Sequence, residues 1–141
     1  MQDLTIRIPL RPVAASRPRI PRYGKPYFPK TYKKWRDDAD LVVPEFTGTP
    51  IEFPVAVTVM FAIPRARTSQ LIVPVGDVDN FEKGLYDLLT RKLYLLDDKW
   101  ITSTECRKRF LPFGEDGYCT VTIKKETEEI DLWLDHNDTH K

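Results

Sequence analysis

The chain of 141 residues has a length typical of one domain, and its hydrophobic and charged fractions, 41% and 30%, are those of a globular protein. No run approaches the ~18 to 20 consecutive apolar residues of a membrane span, and the first residues lack the pattern of a secretory signal. The two cysteines, Cys106 and Cys119, fit neither a disulfide framework nor a CxxC metal site, so we expect free thiols in a reducing, cytoplasmic environment.

The net charge of +1 conceals an uneven distribution along the chain. Residues 1–36 hold ten of the 22 basic residues and one acidic residue, and carry +9, whereas residues 37–141 carry −8. A charge run is usually a solvated surface, but this one is interleaved with the aromatic residues Tyr23, Tyr27 and Tyr32. Basic and aromatic side chains together suit phosphates and unstacked bases, so the segment indicates nucleic-acid binding.

The first predicted elements are an edge strand and a proline-rich arm. Leu4, Ile6, Ile8 and Leu10 alternate with other residues as in a half-buried strand, and Pro9 places that strand near a sheet edge. The segment that follows, to residue 29, contains five prolines counted from residue 12 and is predicted to be an ordered loop or arm. Its exposed basic side chains are candidate DNA ligands: Arg17, Arg19, Arg22 and Lys25.

A helix and a central strand are predicted next. Thr31 is a plausible N-cap for a helix through Val43, with Tyr32, Trp35 and Ala39 facing the core and Pro44 after it. Residues 53–63 alternate in the clearest strand of the chain, which we expect at the centre of the sheet with both faces covered. The loop from residue 65 to residue 75 carries two further candidate DNA ligands, Arg65 and Arg67.

The second predicted helix runs from Asp79 to about Arg91. On a helical wheel of ~100° per residue, Phe81, Leu85, Leu88 and Leu89 lie on one side. Asp79, Lys83 and Asp87 recur every four residues on the opposite side. Gly84 lies between the two faces and would allow another chain segment to approach closely.

The remaining elements are two strands and an acidic tail. Residues 100–111 predict a strand with a mixed face, residues 112–117 a turn, and residues 118–125 an alternating strand, so we expect a hairpin. The segment from residue 126 has six acidic residues against one basic residue. Leu132, Trp133 and Leu134 within it would dock on the body of the protein or on a partner. The expected division is a domain at residues 1–125 and an acidic tail at 126–141.

The acidic stretch between the predicted elements is the candidate site. Asp77 and Asp79 are one residue apart, and Asp98 returns after the helix and a short connection. Crowded carboxylates are unfavourable without a cation, and Mg²⁺ or Mn²⁺ prefers such oxygen ligands. A cation there would support phosphodiester hydrolysis, with Lys83 at the phosphate.

Each of these pieces also has an ordinary structural interpretation. Asp-x-Asp-Asn is common in turns, Asp79 could cap the helix, and Asp97-Asp98 could be an exposed turn. Asp79 and Lys83 alone would be an ordinary ion pair one helical turn apart. Their joint occurrence with an arginine-rich arm favours a metal-dependent nuclease. The alternatives are a non-catalytic DNA-binding or phage assembly module, and a protein-interaction domain that uses the acidic tail.

The combination Asp77-Val78-Asp79-Asn80, Lys83 and Asp97-Asp98 resembles the RusA family of Holliday-junction resolvases, as does Arg17-Pro18-Arg19 in the arm. The resemblance covers roughly residues 4–125. It implies an α+β fold with a mixed or antiparallel sheet and two main helices packed on it. Asp77, Asp79 and Asp98 would hold the metal and, with Lys83, form the catalytic set, and Asp97 and Asp87 match further acidic positions.

The same resemblance implies a function and partners. The protein would be a homodimer that binds four-way DNA junctions and cuts them by paired symmetric nicks in recombination and repair, since two-fold cuts need two sites. The expected cofactor is Mg²⁺, with Mn²⁺ as a substitute, and no nucleotide cofactor or membrane is expected. The expected location is the cytoplasm of a bacterial or phage-infected cell.

Overall fold

The computed structural model describes residues 1–126 in seven short elements. The strands are β1 (Leu4–Ile8), β2 (Val55–Ile63), β3 (Ile101–Phe110) and β4 (Tyr118–Lys125); the helices are α1 (Lys30–Val42) and α2 (Val78–Arg91), with a 3₁₀ turn at Asp98–Trp100. A mixed sheet and two helices confirm the expected α+β class. Among the described residues, neither helix is long and apolar enough to cross a bilayer. The tail segment with Trp133 lies outside the described residues.

The sheet has the strand order β1-β4-β2-β3. β4 is antiparallel to both of its neighbours, whereas β2 and β3 are parallel because α2 connects them. The expected edge position of β1 and the central position of β2 are confirmed. The alternating residues of β2, among them Val55, Val57 and Val59, are buried with the apolar faces of both helices. On the other face of the strand Thr58 is exposed, Ala56 and Met60 are half-buried and Ala62 is buried, so this face is covered only in part.

The predicted hairpin between the last two strands is wrong. β2 lies between β3 and β4, and the connection of residues 111–117 passes over the end of β2. The amide of Leu111 donates to the carbonyl of Ile63 (2.9 Å), and Gly117 packs so closely that a Cβ there would lie 2.8 Å from Cδ of Pro64. β4 buries Cys119, Val121 and Ile123 completely, which a central position allows, while the exposed side chains of β3 suit an edge.

The two helices lie on one face of the sheet and are joined by packing and by charge. Gly84 of α2 is buried, and a Cβ there would lie 3.4 Å from the Tyr32 ring and 3.7 Å from Cβ of Ala15, which confirms the expected close approach. Arg91 donates to Asp40 of α1 at 2.9 Å. α1 begins at Lys30 with Pro29 at the N-cap position, so the predicted N-cap at Thr31 is wrong; proline fixes φ at this boundary.

Candidate active site

The N-terminus of α2 presents the first two acidic residues of the candidate site. Asp77 occupies the N-cap position with an extended backbone, and its side chain makes no capping hydrogen bond. Asp79 follows in the first turn, so it is not the cap. Both carboxylates are exposed beside the positive end of the helix dipole, which favours anionic groups at that point. The turn that delivers them depends on Gly76, whose φ of +104° is rare for residues with a side chain.

A shallow groove of about 290 Å³ runs along the exposed side of α2. Lys83 lines it, one helical turn after Asp79, and the 3₁₀ turn contributes the opposite wall. The structure therefore brings four of the predicted site residues together, while Asp77 and Asp79 lie at the helix start and do not line this groove. The residues lining it are Lys83, Tyr86, Asp87, Thr90, Asp97 and Asp98.

Asp97 and Asp98 have different surroundings although they are adjacent. The carboxylate of Asp97 accepts a hydrogen bond from the amide of Lys99 (2.8 Å), and this bond, with one from Asp98, lowers the pKa of Asp97. Partial burial, followed by the contact with Asp97, raises the pKa of Asp98. Asp97 thus caps the 3₁₀ turn, and Asp98 is the carboxyl whose charge is more costly without a nearby cation.

Asp87 takes part in ion pairs between the helices. Its carboxylate accepts from Arg36 of α1 at 3.3 Å and is paired with Arg91 one turn further along α2. Arg91 also contacts Asp40, so two acidic and two basic side chains form one network. The contacts of Asp87 therefore serve helix packing, although one side of it also faces the groove.

The chemistry of the remaining carboxylates suits a divalent cation. Within residues 1–126, Asp77, Asp79 and Asp98 have no ion-pair partner, in contrast to Asp87. Free carboxylate oxygens are the ligands that Mg²⁺ prefers. In the same part of the chain, no three acidic, histidine or cysteine side chains are gathered closely enough to hold a metal ion as the side chains stand.

Lys108 is a site residue that the sequence reasoning missed. Its ammonium donates to the carbonyls of Pro74 (2.7 Å) and Gly76 (2.6 Å), directly before Asp77. The signal lies in the alternation of β3, because Cys106, Lys108 and Phe110 are half-buried while the residues between them are exposed. A lysine on the inward face of a strand is unusual and indicates a specific polar partner.

The basic arm leaves the body beside the acidic residues. The amide of Ala15 donates to the carbonyl of Asn80 in the first turn of α2 (2.9 Å), and the arm then folds back on itself through paired backbone bonds between Arg19 and Tyr27. The predicted DNA ligands of the arm are all exposed: Arg17, Arg19, Arg22 and Lys25.

The loop after β2 provides the other flank. Arg67 is exposed, whereas Arg65 is half-buried over the ring of Phe110 (4.4 Å) and donates to the carbonyl of Ser69 (3.4 Å). A cleft of about 620 Å³ lies between the start of the arm and this loop, and Gly76 lines it. Arg11 and Arg65 line this cleft together with Gly76, the residue before Asp77.

The comparisons with known proteins agree with this arrangement. The model of the family described as endodeoxyribonuclease RusA matches residues 9–124, which include β2, α2, β3 and nearly all of β4. Comparison with curated proteins gave no match. Because the matched region includes the arm, the acidic turn and the Asp97-Asp98 pair, the chain belongs to the RusA family of junction-resolving endodeoxyribonucleases.

Proposed function

We propose that this protein is a Mg²⁺-dependent, structure-selective endodeoxyribonuclease that resolves Holliday junctions by paired symmetric nicks in DNA recombination and repair. The observation that carries the proposal is the pair of exposed carboxylates, Asp77 and Asp79, at a helix N-terminus to which a basic arm is hydrogen-bonded. Membership of the RusA family supplies the class of reaction.

The proposed metal ligands are Asp77, Asp79 and Asp98. The first two are held by the start of α2, and Asp98 lies across the groove that Lys83 also lines. A divalent cation bound there, Mg²⁺ with Mn²⁺ as a substitute, supplies Lewis-acid catalysis of phosphodiester hydrolysis. Because the three carboxylates are not gathered within residues 1–126 as the side chains stand, binding the cation would require Asp98 to approach the helix start.

The remaining residues bind and orient the DNA. Lys83 has a free ammonium within the described residues and lies one turn from Asp79, where it would contact the scissile phosphate and stabilise charge on the leaving oxygen. The exposed arginines of the arm, with Lys25, Arg65 and Arg67, would contact flanking phosphates, because such contacts supply most of the affinity of a backbone-binding protein.

We also propose that the active form is a homodimer. A four-way junction has two-fold symmetry, and two symmetric cuts require two copies of the site. The loop before Asp77 supports an association surface, since Ile72 and Val75 are 90% and 77% exposed and apolar surface of this kind commonly mediates contacts. Action in the cytoplasm of a bacterial or phage-infected cell fits this substrate.

The test is cleavage of a synthetic four-way junction with Mg²⁺, using strands labelled one at a time. We expect the wild type to nick two opposed strands at symmetric positions, and Asp77→Asn to lose at least ~100-fold in rate, since the metal contributes several kcal/mol to the transition state. The variant should bind the junction as well as or better than the wild type, because a negative charge near phosphate is removed.

Asp38→Asn is the matched control. Asp38 is an acidic residue of α1 paired with Lys34, outside the proposed site, so its replacement should leave the rate unchanged. A wild type that binds junctions but never cuts them with Mg²⁺ or Mn²⁺ would contradict the nuclease proposal. That result would instead support the DNA-binding or phage assembly module.

A further inference from the structure

Lys108 is the only side chain within the described residues whose hydrogen bonds reach the backbone immediately before Asp77. Its ammonium bridges two carbonyls separated by a single residue, at 2.7 and 2.6 Å, and both bonds are charge-assisted. In the same part of the chain it has no carboxylate partner. The half-buried ammonium of Lys108 therefore holds one turn of the backbone.

Packing holds the turn that Lys108 contacts only in part. Pro74 is buried, but Ile72, Val73 and Val75 around it are exposed, so apolar contacts fix only one residue of this short stretch. The other hydrogen bonds of the loop involve Ser69, near its beginning. The path into α2 is narrow as well, since a Cβ on Gly76 would lie 2.9 Å from the ring of the buried Phe81.

We propose that Lys108 is a positioning residue for the nuclease reaction, which sets the direction in which the turn at Gly76 presents Asp77. This proposal rests on the proposed function. Because Gly76 has no side chain to restrict its backbone, the peptide between it and Asp77 can rotate unless its carbonyl is held. The bond from Lys108 holds that carbonyl, and the carboxylate follows the orientation of the peptide. A partner that orients a metal ligand commonly changes metal affinity or activity by 10- to 100-fold when removed.

The test compares Lys108→Met with Arg107→Met in the full chain. Methionine keeps most of the length of lysine but removes the ammonium. Arg107 is the neighbouring residue of β3, points to the opposite face of the sheet, and is paired with Glu105, so it controls for the removal of one positive charge on the same strand.

Two readouts are expected to change only in Lys108→Met. The half-saturating Mg²⁺ concentration for junction cleavage should rise, or the rate at saturating Mg²⁺ should fall, by about 10-fold or more, with the KM for the junction within about 2-fold of the wild type. Hydrogen–deuterium exchange should become faster in residues 75–80 and stay unchanged in β2 and β4. Lys108→Arg, which keeps the charge and the donors, should restore part of both effects.

Wild-type exchange, rate and Mg²⁺ dependence in Lys108→Met would overturn the proposal, as would the same changes in Arg107→Met. If Lys108→Met fails to fold, Lys108→Gln, which removes the charge but keeps a polar group, takes its place, and wild-type Mg²⁺ dependence and exchange in that folded variant would overturn the proposal. A wild type that cuts no junction would count against the proposed function, while the exchange experiment would still report on Lys108.

Discussion

The carboxylates of this chain differ in what their oxygens contact. This difference separates the carboxylates that join the two helices from those proposed to bind the metal. Asp40 and Asp87 are paired with arginines that join the two helices. Asp77 and Asp79 are presented to solvent by a helix start, without a basic partner among residues 1–126. Their spacing in the sequence made them candidates for a metal site, and that role stays a prediction. Lys108 was not predictable in this way, because its role depends on contacts with residues 32 and 34 positions earlier.

The two thiols give a prediction at the same scale. Burial raises the pKa of Cys106 to about 11 and that of Cys119 to about 12, so both remain protonated in the native protein. At pH 8 the thiolate fraction of Cys106 should be about 100-fold below that of an ordinary cysteine, and alkylation by iodoacetamide should be slower by a similar factor. Intact-mass analysis before and after unfolding would measure it.

The sign of the linked pH dependence follows from the same shift. Above pH 9 the unfolded chain releases thiol protons that the folded protein retains, so these groups should lower the free energy of unfolding as the pH rises from about 9 toward 11. Urea unfolding at pH 8 and pH 10 would show the change. Equal alkylation rates in the native and unfolded protein would contradict the burial of both thiols.

The connection between β3 and β4 is the element that the sequence-based reasoning placed wrongly. Its proline and glycine residues predict a turn, and a turn between two alternating segments normally joins neighbouring strands. The helix between β2 and β3 places β3 beside β2, because a strand reached through a helical crossover lies parallel to the strand before it. β4, with its fully buried inward face, then takes the place on the other side of β2.

The space around two glycines predicts opposite effects of alanine substitution on stability. A Cβ on Gly117 would lie 2.9 Å from the Cα of Arg11 and 3.1 Å from the carbonyl of Ala62, and backbone atoms cannot easily give way. Gly117→Ala should therefore destabilise the protein by about 1–3 kcal/mol. A Cβ on Gly84 makes only ordinary contacts of 3.4 Å or more, so Gly84→Ala should stabilise α2 by up to ~1 kcal/mol.

Urea unfolding of the two alanine variants beside the wild type would measure both changes. The pair serves as its own control, because each variant adds one methyl group in place of a glycine hydrogen. A Gly117→Ala variant as stable as the wild type would show that the chain crosses the end of β2 more loosely than these distances indicate.

At the scale of the whole molecule, the fold places opposite charges side by side. The +9 of residues 1–36 and the acidic start of α2 are distant in the sequence, and the bond between Ala15 and Asn80 joins them. The charge asymmetry alone predicted a basic surface for DNA. The position of that surface next to Asp77 could not be predicted, because it depends on how the arm crosses α2.

Neutralising the arm should weaken DNA binding in a salt-dependent way. Replacing Arg17, Arg19, Arg22 and Lys25 by glutamine should lower junction affinity and reduce the slope of log K against log salt by about 0.9 for each phosphate that the variant no longer neutralises. Fluorescence anisotropy at several salt concentrations would measure the slope.

Glutamine at Lys33 and Lys34 is the control, compared per charge removed, since both lysines are already paired with aspartates of α1. An unchanged slope in the arm variant would show that the arm does not contact phosphates.

The pairing of β1 with β4 also has a consequence for biosynthesis. Leu4 lies opposite Ile123, so the strand of this sheet that is synthesised first pairs with the one that is synthesised last. Such non-local pairing slows folding, and β1 has no neighbour until almost the whole domain has been translated. The basic arm that follows β1 is therefore exposed on the nascent chain before the carboxylates of the site exist. If the arm and the carboxylates act as proposed, a partly synthesised chain would attract nucleic acid at that stage without being able to cut it.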